Sequence, residues 1–324
     1  MAATSPVPAR ARFNITQELV LVVALAAALL VLSFTAERFM SVANLLNQGR
    51  LMTEVALVAL PMTFIIITGG IDLSVGSIMG LTAILLGVFW QNVGLPLPAA
   101  IGLALVASAA AGFFNGLLIT RLRVPPLIMT LATLALYRGL AEGISQARSV
   151  RGYPEWFFVL GQKDVLGVPT QLWILAVAIV VFWIVLSRTT FGRSLYAIGH
   201  NETAARYSAI RVDRIKLVIY TLSGLMSGIA GWIFVSRVST TRSDMGTGLE
   251  LDVIAAVVLG GTSIFGGIGT IAGTVLGFTL IQLLKNGLAL TGVKGDATIV
   301  VIGTVLILSI LITNFLQHRR MSGG

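Results

Sequence analysis

The chain has 324 residues, of which 56% are apolar and only 11% are charged, and its mean hydropathy is +0.95. Soluble globular chains carry about 25% charged residues, so this composition excludes that class and predicts an integral membrane protein. The formal net charge of +9 does not indicate nucleic-acid binding, because the basic residues form short clusters between apolar segments, as membrane topology signals do. The chain has no cysteine, which excludes a disulfide framework and a thiolate metal site.

Ten apolar segments are long enough to cross a bilayer, since a span needs about 20 mainly apolar residues. The first superficially resembles a secretory signal but lacks a clear small-residue cleavage site, so we expect an uncleaved helix. The predicted fold class is all-α, a polytopic membrane helical bundle of about ten transmembrane helices that forms a single domain over residues 1–324. The segments are 17–36, 51–68, 75–91, 98–120, 127–142, 171–187, 217–236, 249–265, 269–284 and 297–316.

The distribution of charge predicts the orientation of this bundle. An even number of spans places both termini on one side. Basic residues crowd the segment 188–216, which predicts that this loop, the tail 1–16 and both termini are cytoplasmic. The loop 143–170 then lies on the periplasmic side, where its aromatic run at 153–158 suits a lid at the level of the headgroups.

Glycines recur at helical four-residue spacing, which permits close approach of helix backbones in a membrane. This pattern predicts packing and is shared by channels and transporters. The positions are Gly76 and Gly80, Gly112 and Gly116, Gly224 and Gly228, and Gly269, Gly273 and Gly277.

The segment 69–77, with the sequence GGIDLSVGS, interrupts an otherwise apolar stretch. Gly69 and Gly70 weaken the helix and free backbone polar groups, which in lipid must face protein or a water-filled cavity. A carboxylate such as that of Asp72 costs free energy when it lies within the bilayer. Three roles for it stay open: capping the helix that begins near Ser74, gating the pathway, or contacting the solute directly.

A second break lies at 260–269 and again places paired glycines and small hydroxyl residues between apolar segments. It looks like an internal echo of the first break, and broken helices in transporters tend to lie beside the pathway. The predicted helix count gives both breaks the same orientation, which an inverted repeat would not. The pathway candidates here are Gly260, Gly261, Thr262, Ser263, Gly266 and Gly267.

The basic loop contains a short helix candidate at 202–209 that Asn201 could cap. Two interpretations stay open. The loop is either a solvated basic segment that fixes orientation, or a docking helix for a cytoplasmic partner.

Motifs for chemistry are missing from the sequence. None of the four lysines follows a glycine, so the chain has no phosphate-binding GxxxxGK[ST] loop. The two histidines, His200 and His318, lie outside the predicted spans, so we expect neither a metal site nor a catalytic residue. We therefore predict a transport subunit without its own ATP-binding site or cofactor.

An ion-coupled secondary transporter or channel is the alternative, and it would rely on ionisable groups within the membrane. Few are present. Glu54 and Glu142 lie near span ends, where Arg50 and Arg138 could neutralise them at i,i+4 spacing.

Three segments together resemble the ribose, xylose and autoinducer-2 group of ABC importer permeases: GGIDLSVGS at 69–77, GRSLYAIGHNETAARYSAIRV at 192–212, and VVLGGTSIFGGIGTIAGTVLG at 257–277. The resemblance extends from about residue 45 to the end of the chain. It implies a type II-like architecture in the bacterial inner membrane, with two permease subunits around one pathway. It also implies a cytoplasmic ATPase that binds the ATP and a periplasmic binding protein that delivers a sugar.

The resemblance also assigns roles by position. The pathway-facing breaks fall on residues 69–74 and 260–267, and closure of the ATPase is expected to move the loop around Asn201 and tilt both broken helices. The chain departs from the family at His200 and Ala209, where glycine is usual, and at Ile268, where a basic residue is common. Residues 60–64 and 241–246 look more like rhamnose and autoinducer-2 permeases than ribose ones. The coupling residues are Gly199, His200, Asn201, Ala204 and Ala205.

Overall fold

The computed structural model describes residues 14–293 together with residues 297, 300, 303 and 304. This part of the chain is almost entirely helical. A π-helical turn, Val88–Asn92, extends α3, and a 3-10 turn, Glu155–Phe158, precedes α6. A two-residue antiparallel hairpin, β1 Asp164–Val165 and β2 Val168–Pro169, follows α6. The helices are α1 Asn14–Thr35, α2 Val42–Ile67, α3 Val75–Gly87, α4 Leu97–Arg121, α5 Pro126–Ser145, α6 Val159–Gln162, α7 Thr170–Arg188, α8 Thr190–His200, α9 Glu202–Tyr207, α10 Val212–Val238, α11 Leu249–Leu259 and α12 Ile271–Leu290.

Eight helices in the described residues are long and apolar enough to cross a membrane: α1 to α5, α7, α10 and α12. They correspond to eight of the ten predicted segments, and the predicted all-α polytopic membrane bundle is confirmed. The last predicted segment, 297–316, lies outside the described residues except for the isolated positions given above.

The predicted segment 249–265 differs from the structure, because its helix α11 ends at Leu259. With 11 residues α11 is about 16 Å long, roughly half the thickness of the hydrocarbon core. The paired glycines end it, since Gly261 adopts a φ of +91° and Thr262 N donates to Val257 O at 3.2 Å. The apolar residues that continue the sequence pattern to Phe265 lie in a loop.

Helix α2 forms the core of the bundle. It is buried without interruption from Ala56 to Ile67 and packs against α7, α10, α11 and α12. The predicted role of glycine in helix packing is clearest between α4 and α10. A Cβ added to Gly112 would lie 2.2 Å from Tyr220 O, and one added to Gly224 would lie 2.3 Å from Ser108 O.

The bundle has two ends. Helices α8 and α9 lie at one end, beside the end of α2 and the start of α10, and we call it the α9 end. The opposite, distal end holds the start of α2, the end of α10 and the segment 143–170. The aromatic run of that segment packs onto the bundle, because the Tyr153 ring stacks between Trp90 and Phe157 with centroid distances of 4.5 and 4.4 Å.

Candidate functional site

The first glycine break lies directly after α2 and leads into α3. Gly69 adopts a φ of +76°, and its amide donates to Ile66 O at 2.9 Å, which terminates α2. Gly70 is buried, and a Cβ there would lie 2.7 Å from the Tyr220 hydroxyl. The predicted break is therefore present, with Gly70 and Asp72 buried against protein and Gly69 exposed at the α9 end.

Asp72 is fully buried at the N-terminus of α3. Its Oδ1 accepts hydrogen bonds from the Ser74 amide at 3.0 Å and the Ser74 hydroxyl at 2.6 Å, and its Oδ2 accepts from the Ser223 hydroxyl at 2.8 Å. This geometry is an Asx turn that leads into α3, and it holds the carboxylate against the N-cap residue Ser74 at the positive end of the helix dipole. A contact between Asp72 and a solute would require the surrounding helices to separate.

A buried polar network continues from Asp72 through α4 and α5. The Asn115 side-chain amide donates to Ser74 Oγ at 2.8 Å, and the Tyr137 hydroxyl lies 3.3 Å from Asn115 Oδ1. The network therefore joins α3, α4, α5 and, through Ser223, α10. Asn115, Tyr137 and Ser223 were not among the predicted site residues, although the single amide side chain of Asn115 in an apolar span indicates a buried polar contact.

The second glycine break is a compact loop between α11 and α12. Gly266 and Gly267 adopt φ values of +87° and +77°, and Ser263 N donates to Ile268 O at 3.0 Å, which closes the loop on itself. Gly260 packs on α12, where its Cβ would lie 2.5 Å from Gly273 O. Thr262 is buried at 2% exposure, and its hydroxyl has no hydrogen-bond partner among the described residues.

The two breaks and α8 meet at one place, which we call the glycine junction: Ile67, Gly69, Gly199, Gly266 and Gly267. Gly267 N donates to Ile67 O at 2.8 Å, which joins the second break to the end of α2. A Cβ on Gly199 would lie 1.9 Å from Ile67 O and 2.4 Å from Gly267 N. One predicted coupling residue therefore touches both predicted breaks through the backbone.

Two further contacts tie α8 to the second break. The Tyr196 hydroxyl donates to Gly269 O at 2.7 Å, and burial raises the pKa of Tyr196 to about 12. The His200 ring lies over Gly267, where a Cβ would be 2.8 Å from Nδ1. The end of α8 is thus fixed to the loop between α11 and α12.

The basic segment 188–216 is more ordered than the loop with one short helix that the sequence predicts. Thr189 caps α8 by accepting the Gly192 amide at 3.2 Å, and Leu195 and Ile198 bury one face of this helix, so an amphipathic pattern had been interpreted as loop. The predicted helix after Asn201 is present as α9. Asn201 Oδ1 accepts the Ala204 amide at 2.9 Å and caps it.

The remaining coupling candidates differ in exposure. Ala204 is exposed on α9, whereas Ala205 is 3% exposed and packs with Ile198 and Val212. Of these two alanines only Ala204 therefore has an accessible side chain, and Ala205 holds α9 on the bundle.

Ion pairs connect α9 to the start of α10. Glu202 bonds Lys216 Nζ at 2.6 Å and Arg206 Nη2 at 2.9 Å, and Arg206 also bonds Asp213 at 2.6 Å. Burial alone would raise the pKa of Glu202, but the hydrogen bonds from Lys216 and Arg206 outweigh burial and hold that pKa below its ordinary value. These ion pairs therefore fasten α9 to the start of α10.

The distal end contains a cavity of about 500 Å³, which the sequence analysis did not predict. Helices α2, α3, α10 and α11 line it together with the segment 239–248. Its buried wall holds an ion pair, with Arg237 Nε 2.9 Å from Glu54 Oε1 and Glu54 only 3% exposed. Other charged and hydroxyl residues of the lining are Thr240, Arg242, Asp244, Thr247 and Asp252.

The ion pairs expected at i,i+4 spacing are not formed among the described residues, so that expectation was wrong. Arg50 bonds Asp164 instead, and Glu54 takes its partner from α10. Arg138 donates to Ser243 O and to Met245 O, which clamps the segment 239–248 onto α5. Tertiary placement brings oppositely charged residues from other helices closer than the intrahelical spacing does.

Within the described residues, no group of three histidine, aspartate or glutamate side chains converges as a metal site. The described part of the chain has eight membrane-length helices, two helix breaks that meet α8 at one end, and a cavity with paired charges at the other. This arrangement is typical of a polytopic membrane permease. Comparison with known proteins identifies the family. A family model described as branched-chain amino acid transport system / permease component matches residues 41–310, and the chain belongs to this family.

The curated relatives are of similar length to the chain. A ribose import permease protein of Bacillus subtilis is 41% identical over 286 residues, which cover 87% of this chain and 88% of the relative. The ribose import permease protein of Escherichia coli is 39% identical, with coverages of 90% and 92%. An autoinducer 2 import system permease protein of Escherichia coli is 39% identical, with 82% of each chain covered. The resemblance predicted from the three motifs is confirmed, and no solved structure matches the chain.

Proposed function

We propose that this chain is the permease subunit of an ABC importer that moves a neutral sugar-type solute across the bacterial inner membrane. The observation that carries the proposal is the glycine junction, where α8 touches both helix breaks through the backbone. The names of the ribose and autoinducer-2 import relatives support a solute of the ribose, xylose, rhamnose or autoinducer-2 class.

The proposed assembly has three kinds of partner. A cytoplasmic ABC ATPase docks on the α9 end, against Gly199, His200, Asn201 and Ala204, and it binds the ATP, so the permease needs no cofactor of its own. A second permease subunit, identical or related, completes the pathway. A periplasmic binding protein delivers the solute to the distal end, which places the α9 end and both termini in the cytoplasm.

The proposed mechanism uses two mechanical connections from α9. Closure of the ATPase dimer displaces α9, and the ion pairs of Glu202 carry that displacement to α10. The end of α8 presses at the same time on Ile67 and Gly267, which lie at the two breaks. Because helix breaks separate rods that can tilt independently, displacement at the junction changes the tilt of α2 and α12 and alternates access.

Reconstitution tests this function. The purified permease with its ATPase and binding protein, placed in liposomes, is expected to take up sugar only when ATP is supplied at the α9 side. Uptake by the permease alone, driven by a proton or sodium gradient, would contradict the proposal and support the ion-coupled alternative.

A further inference from the structure

Every charged residue that lines the distal cavity has an opposite charge beside it. Glu54 pairs with Arg237, and Arg242 pairs with Asp244 through Nε and Oδ1 at 2.9 Å. Asp252 pairs with Lys285 Nζ at 2.6 Å, which lies behind the lining. The cavity therefore carries several charged groups on a largely apolar lining, and it presents no unneutralised charge among the described residues.

The cavity also offers an unused hydrogen-bonding group. The Thr240 hydroxyl is a buried atom without a partner among the described residues, which leaves a donor and acceptor to be satisfied by water or a ligand. The cavity also has an apolar wall, which is formed by Met79, Phe234 and Leu249. The Arg237 guanidinium lies 4.8 Å from the Phe234 ring centroid, which limits the freedom of both side chains.

We propose that this cavity is a binding site for a neutral polyhydroxylated solute of monosaccharide size, in which Glu54 and Arg237 determine specificity. The inference rests on the proposed function and assigns the residues that the solute meets at the distal end. A volume of about 500 Å³ lies in the usual range for small-molecule sites and accommodates one sugar with its bound water.

The paired charges decide the class of ligand. Sugar hydroxyls donate to carboxylates and accept from guanidinium groups while each ion pair stays intact, and such charge-assisted hydrogen bonds are about twice as strong as neutral ones. An anionic or cationic ligand that displaced one member of the Glu54–Arg237 pair would leave the other without its partner at a buried position, which is strongly unfavourable. The C–H faces of a sugar ring suit the apolar wall.

The chain has no cysteine, so an introduced cysteine is the single thiol of this subunit, and labelling is read on the permease band. Thr247→Cys places the thiol on the exposed part of the cavity lining. The complete importer carrying this substitution is labelled with a membrane-impermeant maleimide, alone and with ribose, rhamnose or gluconate. Leu166→Cys is the matched control, since Leu166 is 88% exposed at the same end and outside the lining.

We expect the neutral sugar that the importer carries to slow labelling of Thr247→Cys about tenfold at ten times its Kd, and to leave Leu166→Cys unaffected. Gluconate is expected to give no protection. Thr240→Val keeps the shape and removes the hydroxyl, and it should raise the protecting sugar concentration about threefold to tenfold. Glu54→Gln leaves Arg237 unpaired and should let gluconate protect about fivefold.

Two results would overturn the inference: no protection by a neutral sugar that the same importer transports, or equal protection by gluconate and that sugar in the unaltered cavity. If Glu54→Gln changes labelling without sugar, the cavity has been perturbed. Asp244→Asn, at an exposed pair of the same lining, then replaces it and should give gluconate a smaller gain, because water screens the Arg242 charge that it leaves unpaired. An importer that carries no sugar with ATP would instead refute the proposed function.

Discussion

Gly199 of α8 packs against the backbone of Gly267 so closely that a Cβ on Gly199 would lie 2.4 Å from Gly267 N. Both glycines contact Ile67 as well, so three segments far apart in the sequence share one point of contact. Helix α8 therefore contacts both breaks through backbone atoms, and the fit depends on the shape of the backbone rather than on side chains.

Gly199→Ala should uncouple the importer. Its methyl group would overlap Ile67 O, so α8 must move away from the junction, and we expect sugar uptake to fall by more than about tenfold while ATP hydrolysis persists. Uptake and hydrolysis are measured together in proteoliposomes. Gly139→Ala on α5 is the control, since a Cβ there meets nothing within 4 Å in the described part of the chain, and loss of uptake in that variant would remove the interpretation.

Ala204 and Ala205 should respond differently to substitution, although they are neighbours on α9. Ala204→Arg alters an exposed position, so we expect loss of ATPase binding with the thermal unfolding midpoint unchanged. Ala205→Leu overpacks a buried position and should destabilise the fold by about 1–3 kcal/mol. Co-purification of the ATPase and unfolding in detergent distinguish the two, and the docking assignment fails if Ala204→Arg retains the ATPase.

The attachment of α9 to α10 should weaken in acid. The bonds from Lys216 and Arg206 hold the pKa of Glu202 below its ordinary value of 4.5, so the ionised carboxylate stabilises the folded state above that pH. This contribution is lost as the pH falls through the lowered pKa. Thermal unfolding followed between about pH 3.5 and pH 8 should therefore show a steeper acid loss for the natural chain than for Glu202→Gln.

Thr203→Ala, at an exposed position of the same helix, is the control for this pH experiment. It should keep the acid dependence of the natural chain. Identical acid profiles for Glu202→Gln and the natural chain would show that the ion pairs contribute nothing to the folded state.

Ala209→Gly should stabilise the protein. Ala209 adopts a φ of +60°, a left-handed conformation that costs an L side chain about 1–2 kcal/mol and glycine almost nothing. Part of the gain is offset by the greater freedom of glycine in the unfolded chain, so we expect a net increase of about 0.5–1 kcal/mol in the free energy of unfolding. Denaturation of the detergent-solubilised protein measures this free energy. A lower value for Ala209→Gly than for the natural chain would show that Ala209 is not strained.

Sequence patterns predicted several features that a single segment specifies, although the amphipathic pattern of α8 was interpreted as loop. Long apolar runs predicted the membrane-spanning helices. Gly69 and Gly70 predicted the end of α2, and Asn201 predicted the cap of α9. The departure at Ala209 coincides with a left-handed backbone, which explains why glycine is usual there. Each of these features depends on local geometry.

Features that depend on which segments meet were beyond the sequence. The contact of Gly199 with Ile67 and Gly267 joins residues from three regions, and no periodicity specifies it. The same holds for Glu54, whose intrahelical partner was the natural expectation and whose real partner comes from α10. The cavity lining follows from such tertiary pairings.

The half-length of α11 gives the bundle uneven stiffness. A continuous helix resists a change of length, because shortening it would break hydrogen bonds along its axis. The loop after Leu259 lacks that ladder of hydrogen bonds and is held by local turns and by its contacts with Ile67 and Tyr196, so small dihedral changes can alter its length. Mechanical compliance is therefore concentrated at the glycine junction, at the α9 end. A crosslink within that loop would immobilise the transporter more effectively than one of equal length placed along any full span.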